Sequence, residues 1–159
     1  MKKITIIVLF VGLLLGCATT TELEKLEDVE PVPELSPGEV VELQLRAFRQ
    51  NDEEDRGMAV AFRFASPNNR RATGPLERFA KMMKGPLYRP MLVYEEMSLG
   101  EPLIRGRVAL QRVVLTVEDR TFSYDFYLVR QEGGEFDQCW MTEAVQIVPN
   151  EEPRGSLFV

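Results

Sequence analysis

The chain has 159 residues, 45% of them apolar and 28% charged, which suits one globular domain with a core of ordinary size and excludes a disordered chain. Its formal net charge of −6 removes any general attraction for nucleic acid or anionic lipid headgroups, so no nucleic-acid partner is expected. It contains no histidine, which excludes His-based acid–base catalysis and nucleophile–His pairs and removes the commonest metal ligand.

The N-terminus opens with Lys2 and Lys3, followed by an apolar run from Ile4 to Leu15 and then Gly16 and Cys17. The run is shorter than the roughly 20 apolar residues that span a bilayer, and no later stretch is longer or more apolar. A basic start, a short apolar centre and small residues at its end mark a secretion signal. The stretch Leu14-Leu15-Gly16-Cys17 resembles the lipobox of bacterial lipoproteins. That resemblance implies a signal over residues 1–16, cleavage between Gly16 and Cys17, and a lipid on Cys17 that holds the protein to a membrane of the cell envelope. Loss of Lys2 and Lys3 with the signal makes the mature chain still more acidic, so attachment rests on the lipid and not on a basic patch. In diderm lipoproteins an aspartate after the cysteine signals retention in the inner membrane. Ala18 stands there instead, which favours the outer membrane facing the periplasm.

Residues 17–36 read as a linker after the lipidated cysteine. Glu22, Glu24, Glu27, Asp28, Glu30 and Glu34 are interleaved with Pro31 and Pro33, and Glu22–Val29 lacks a convincing apolar stripe, so the segment is expected to be extended and solvated.

The folded domain is expected over 37–149. Ser36-Pro37-Gly38-Glu39 has the pattern of a capping box with proline at the first helical position. Val40, Val41, Leu43, Leu45, Ala47 and Phe48 follow at helical spacing. Asp52 is placed to cap a second helix, which carries Ala59, Val60, Phe62, Phe64 and Ala65 and is stopped by Ser66-Pro67-Asn68-Asn69. Thr73-Gly74-Pro75 starts a third, short helix with Leu76, Phe79, Ala80 and Met83 on one side, ended by Lys84-Gly85-Pro86.

After Pro90 the pattern changes to strands. Met91–Met97 and Leu103–Val117 read as the first two, with Gly106 marking a bulge or bend inside the second. Glu118-Asp119-Arg120 reads as a hairpin turn. Thr121–Arg130 alternates, with Phe122, Tyr124, Phe126 and Leu128 on one face. Gly133-Gly134 is a further hairpin signal, and Phe136–Val148 is the last strand, stopped by Pro149. Residues 150–159 read as a C-terminal tail. The expected fold class is therefore α+β: three N-terminal helices packed on one face of a four-stranded antiparallel sheet.

This order of elements resembles the nuclear transport factor two-like (SnoaL-like, cystatin-like) superfamily, in which a curved sheet wraps helices into a cone. More narrowly, Val40 to Val148 resembles a small family of bacterial and plastid proteins of that type. The matching residues are Val41-Glu42-Leu43-Gln44-Leu45-Arg46-Ala47-Phe48, Phe64-Ala65-Ser66-Pro67, Thr73-Gly74-Pro75 with Arg78-Phe79, Tyr88-Arg89-Pro90, and Trp140. The resemblance implies a cavity between helices and sheet. It implies no chemistry of its own, because cone-fold relatives include isomerases and hydratases as well as plain binding modules.

Few residues remain that are able to carry chemistry. With Cys17 lipidated, Cys139 is left without a disulfide partner and reads as a buried small hydrophobe. A zinc site would need carboxylates alone, and no glycine-rich phosphate loop is present, so neither metal nor cofactor is expected. Asp125 and Glu143 are the candidate carboxylate bases; for Glu143 the alternative is an ion pair with a neighbouring arginine such as Arg112. Tyr88, Arg89, Tyr94, Tyr124 and Trp140 are the candidates for a pocket holding a small anionic or aromatic ligand, and each has an alternative structural role. Leu103–Val117 carries aliphatic residues on both faces, which points to a homodimer through the outer face of the sheet. Three functional readings follow: a lipid-anchored envelope module that binds a small ligand or protein without catalysis, an isomerase- or hydratase-type enzyme using Asp125 or Glu143, and a purely structural, scaffold role in the envelope.

Overall fold

A computed structural model describes residues 22–149. The signal segment 1–16, Cys17 and the tail 150–159 lie outside the described residues.

The first element departs from expectation. Residues of the presumed linker form helix α1 (Glu22–Glu27), which buries Leu23 and Leu26 against the domain. Two buried leucines contribute about 1.5–3 kcal/mol each, enough to hold a short acidic helix that has little intrinsic stability. Basic side chains complete the docking. Arg63 Nη1 donates to the carbonyls of Glu27 (2.8 Å) and Val29 (2.9 Å), and Arg46 pairs with Glu22.

Helix α2 (Pro37–Arg49) starts at the capping box. The Glu39 amide donates to Ser36 Oγ at 3.3 Å, and the Ser36 amide donates back to Glu39 Oε2 at 2.8 Å. The Ser36 hydroxyl, which donates to Glu39 Oε2 at 2.6 Å, and then the Ser36 amide hold the Glu39 carboxyl below its usual range. The buried face of α2 is Val40, Val41, Leu45, Ala47 and Phe48, with Gln44 among them.

Helix α3 (Arg56–Arg63) begins four residues after Asp52. Asp55 adopts a left-handed conformation (φ 58°), and capping comes from the preceding loop, where Asn51 Oδ1 accepts the Met58 amide at 2.9 Å and Asp52 Oδ1 accepts the Arg56 amide at 3.0 Å. Gly57 sets the approach of α3 to α2, because a Cβ there would lie 2.2 Å from the Ala47 carbonyl oxygen.

Ser66-Pro67, read from sequence as a stop, also starts helix α4 (Pro67–Thr73). Ser66 Oγ caps it by accepting the Asn69 amide at 3.0 Å, with proline at the first position. Helix α5 (Leu76–Met83) buries Phe79, Ala80 and Met83.

Pro90 starts a further short helix, α6 (Pro90–Val93), where a strand was expected; the first strand, β1 (Glu96–Leu99), begins later. The expected long strand is a hairpin instead. Strands β2 (Leu103–Arg105) and β3 (Val108–Val117) flank a turn in which Gly106 takes φ +59°, so the glycine marks a reversal and not a bulge. Glu118 and Asp119, both at positive φ, turn the chain into β4 (Arg120–Arg130), the pattern of a type I′ hairpin. The last strand, β5 (Trp140–Val148), starts later than expected because 131–139 form a loop.

Among the described residues the fold is thus α+β, with six helices rather than three and five strands rather than four. All strand pairings are antiparallel in the order β1-β3-β4-β5, and β2 continues along the same edge of β3 as β1. The helices cover the face carrying Ala109, Val113, Leu115, Tyr124, Phe126 and Leu128, which form one core with α2, α3, α5 and α6. Among the described residues no helix is long and apolar enough to cross a membrane.

Candidate functional site

The helices do not fill the space over β4 and β5 completely. A cleft of about 270 Å3 remains between α2, α4, α5 and the two strands. Phe48, Phe79, Met82, Met83, Met91, Phe126 and Val145 make most of its wall, with Ala65, Ala72 and Ala144 beside them. Its polar groups are Gln44, Asn69, Thr73, Tyr88, Thr142 and Glu143.

Two local features place Glu143 at this cleft. The register of β4 with β5 shifts between Tyr127↔Ala144 and Leu128↔Thr142, so Glu143 is the extra residue of a bulge. Beside it, the end of α3 is tied to β5: the Ser66 amide donates to the Thr142 carbonyl (2.8 Å), and the Thr142 amide donates to the Phe64 carbonyl (2.9 Å). This brings the Ser66 hydroxyl onto Glu143 Oε2, to which it donates a short hydrogen bond.

The other polar groups of the wall are largely committed to one another. Gln44 is buried within the apolar face of α2; its Nε2 donates to the Ala61 carbonyl (2.9 Å) and its Oε1 accepts from Thr142 Oγ1 (2.6 Å). Asn69 Nδ2 donates to the Thr142 carbonyl (3.0 Å), and Thr73 Oγ1 donates to the Asn69 carbonyl (2.8 Å). Glu143, by contrast, forms no ion pair with any described lysine or arginine.

Of the residues singled out from sequence, Glu143 and Tyr88 line the cleft and the others do not. Asp125 is on the opposite face of the sheet, directly across from Arg112, whose Nε and Nη2 both engage its carboxylate, the second at 2.8 Å. The arginine proposed for Glu143 therefore belongs to Asp125, and the guanidinium pKa rises further above its ordinary value through that bond. Arg89 borders a separate shallow depression with Arg120, Glu95 and Glu118. Tyr94 is buried, which raises its hydroxyl pKa, and its carbonyl accepts from Arg49 Nε at 2.8 Å. Tyr124 is buried with its hydroxyl donating to the Leu87 carbonyl (3.0 Å), and burial, helped by nearby Tyr88, pushes its pKa up to about 12. Trp140 is a core residue with the Arg130 guanidinium 6.0 Å from its ring. The pocket expected from these five aromatic and basic side chains is not assembled; a different one is.

Cys139 is buried and its thiol pKa is raised, chiefly by that burial, which favours the protonated thiol at neutral pH. Among the described residues no group of three or more carboxylates or cysteines is placed to hold a metal ion.

Residues 36–155 match the family described as a domain of unknown function, DUF4864. The chain belongs to this family. No curated protein matches it, and neither does any solved structure. In this DUF4864 domain Ser66, Gln44, Asn69, Thr73 and Thr142 were not singled out as site residues from sequence. The one available signal was Gln44, a polar residue in the middle of the apolar face of α2.

Proposed function

We propose that the protein is a lipid-anchored cell-envelope module that binds a small ligand in the cleft between α2, α4, α5 and the sheet, without catalysing a reaction. The observation that carries this reading is the cleft itself: about 270 Å3, mostly apolar, with a single carboxylate and no lysine or arginine among its described lining residues. An isomerase or hydratase needs hydrogen-bond donors opposite its base to stabilise an oxyanion. Here the Thr73 and Thr142 hydroxyls and one N–H each of Gln44 and Asn69 are already bonded within the protein. The second reading, an isomerase- or hydratase-type enzyme, retains Glu143 as its only base; Asp125 drops out because it pairs with Arg112 on the other face.

Anchoring rests on the resemblance of Leu14-Leu15-Gly16-Cys17 to a lipobox, and Ala18 favours the outer membrane facing the periplasm. With α1 docked from Glu22, at most about 18 Å of chain separates Cys17 from the folded domain, so the module is held close to the bilayer and not on a long leash. A lipid contributes about 0.8 kcal/mol per buried methylene, and two acyl chains suffice for stable attachment. The helix-then-sheet order and a cavity beneath the helices support placing the domain in the nuclear transport factor two-like cone fold. Leu103 (66% exposed), Val108 (50%), Leu110 and Val114 on the outer face support a homodimer through that surface.

The test of anchoring is fractionation. Cys17→Ser is expected to leave the protein unprocessed or released from membranes, and a processed mutant that stays membrane-bound contradicts the lipoprotein reading. Sedimentation that shows only monomer at high concentration contradicts the dimer.

A further inference from the structure

We infer that the cleft selects an amine, a small cationic molecule with an apolar body, over anionic ligands; this rests on the reading of the cleft as a ligand site. The sequence predicts an anionic or aromatic ligand held by Tyr88, Arg89, Tyr94, Tyr124 and Trp140, but Arg89 is not at the cleft, and no described lysine or arginine lines it. Its one charged group is Glu143, which has a hydroxyl donor from Ser66 and no cationic partner among the described residues. The nearby Arg70 forms no ion pair with Glu143: its Nε donates to the Ala65 carbonyl, its guanidinium lies 4.8 Å from the Phe136 ring centroid, and its buried Nη2 has no hydrogen-bond partner among the described residues.

The balance of donors points the same way. An anion entering the cleft loses its hydration and meets the Glu143 carboxylate, while the Thr142 hydroxyl and one N–H each of Gln44 and Asn69 are already bonded within the protein. An ammonium group meets a carboxylate partly shielded from water, where a charge-assisted hydrogen bond is stronger than in bulk solvent. Phe48, Phe79 and Phe126 receive the apolar body, and methionine side chains in the wall adapt to its shape.

The experiment uses the full-length protein in lipid nanodiscs, labelled with 13C at the methionine methyl groups, because Met82, Met83 and Met91 all line the cleft. Three probes of the same aromatic body are titrated: benzylamine, benzyl alcohol and benzoate. Benzylamine is expected to shift these methyl signals saturably and to bind at least about tenfold more tightly than benzoate, a difference of roughly 1.4 kcal/mol. Glu143→Gln is expected to remove that preference, bringing benzylamine down to the affinity of benzoate or below. Benzoate binding as tightly as benzylamine, in the wild-type protein alone, overturns the choice of ligand class and leaves the cleft reading standing. If none of the three probes shifts the methionine signals saturably, the cleft reading itself falls.

Discussion

The hydroxyl of Ser66 donates to the carboxylate of Glu143, 77 positions further along the chain, and this bond joins the start of α4 to the bulge in β5. Ser66 has a second duty, since the same oxygen accepts the Asn69 amide as the helix cap. One serine therefore sets both the helix wall of the cleft and the position of its only carboxylate.

Ser66→Ala should remove both interactions. An N-cap alone is worth about 0.5–2 kcal/mol, so urea unfolding is expected to show a loss near the upper part of that range. A loss below about 0.5 kcal/mol would mean that neither bond matters to the fold.

Gly57→Ala should be more damaging. The added Cβ would lie 2.2 Å from a backbone oxygen of α2, which does not move without shifting the whole helix. Overpacking of this kind costs about 1–3 kcal/mol, read as a lowered denaturant midpoint. A neutral result would show that the two helices are not closely packed there.

Asp125→Asn separates the two faces of the sheet. Its carboxylate engages Arg112 away from the cleft, so benzylamine binding is expected to be unchanged while Glu143→Gln abolishes the charge preference. Loss of binding in both variants, with the fold intact by circular dichroism, would contradict this placement.

Much of the framework was legible because it is set locally. The Ser36–Glu39 capping box, the apolar spacing of α2, the α5 segment between Pro75 and Gly85, and the alternation of β4 are all decided by residues within a few positions of one another. What was missed depends on distant partners. Helix α1 has only Leu23 and Leu26 as its apolar content and forms because Arg63, Arg46 and Arg56 meet it from later helices. The bulge at Glu143 arises from pairing with Tyr127 and Leu128, which no pattern within β5 records. A short run of apolar residues cannot distinguish strand from helix, and at Met91–Val93 the preceding Pro90 decided for helix.

The docking of α1 makes its own prediction. Leu26→Ala should undock the segment from α2 and α3, and hydrogen exchange is expected to accelerate over residues 22–30 while the β3 and β4 amides stay protected. Unchanged exchange in 22–30 would return the segment to a solvated linker.

Acid should weaken the fold through depressed carboxyls. Asp55 is held below its ordinary value by Lys84 and then Asn51, and Asp52 chiefly by the Arg56 amide. A carboxyl depressed in the folded state contributes stability above its unfolded pKa and loses it as pH falls through the folded value, so the decline should begin near pH 4 and continue below it. Asp55→Asn should flatten that decline. Tyr124 acts at the other end: its raised pKa favours the neutral folded form, so stability is complete below about pH 10 and is lost as pH rises towards about 12.

The central claim is that the cleft holds a small molecule in the working protein. Ala72 is exposed on α4 at the cleft, and Ala72→Trp places an indole in the opening without touching the buried core. The most direct measurement is native mass spectrometry of the wild type and this variant, both purified from membranes with their lipid. The account predicts a small-molecule adduct on the wild type that is absent from Ala72→Trp. A wild type without any adduct, or an adduct retained equally by both, would contradict it.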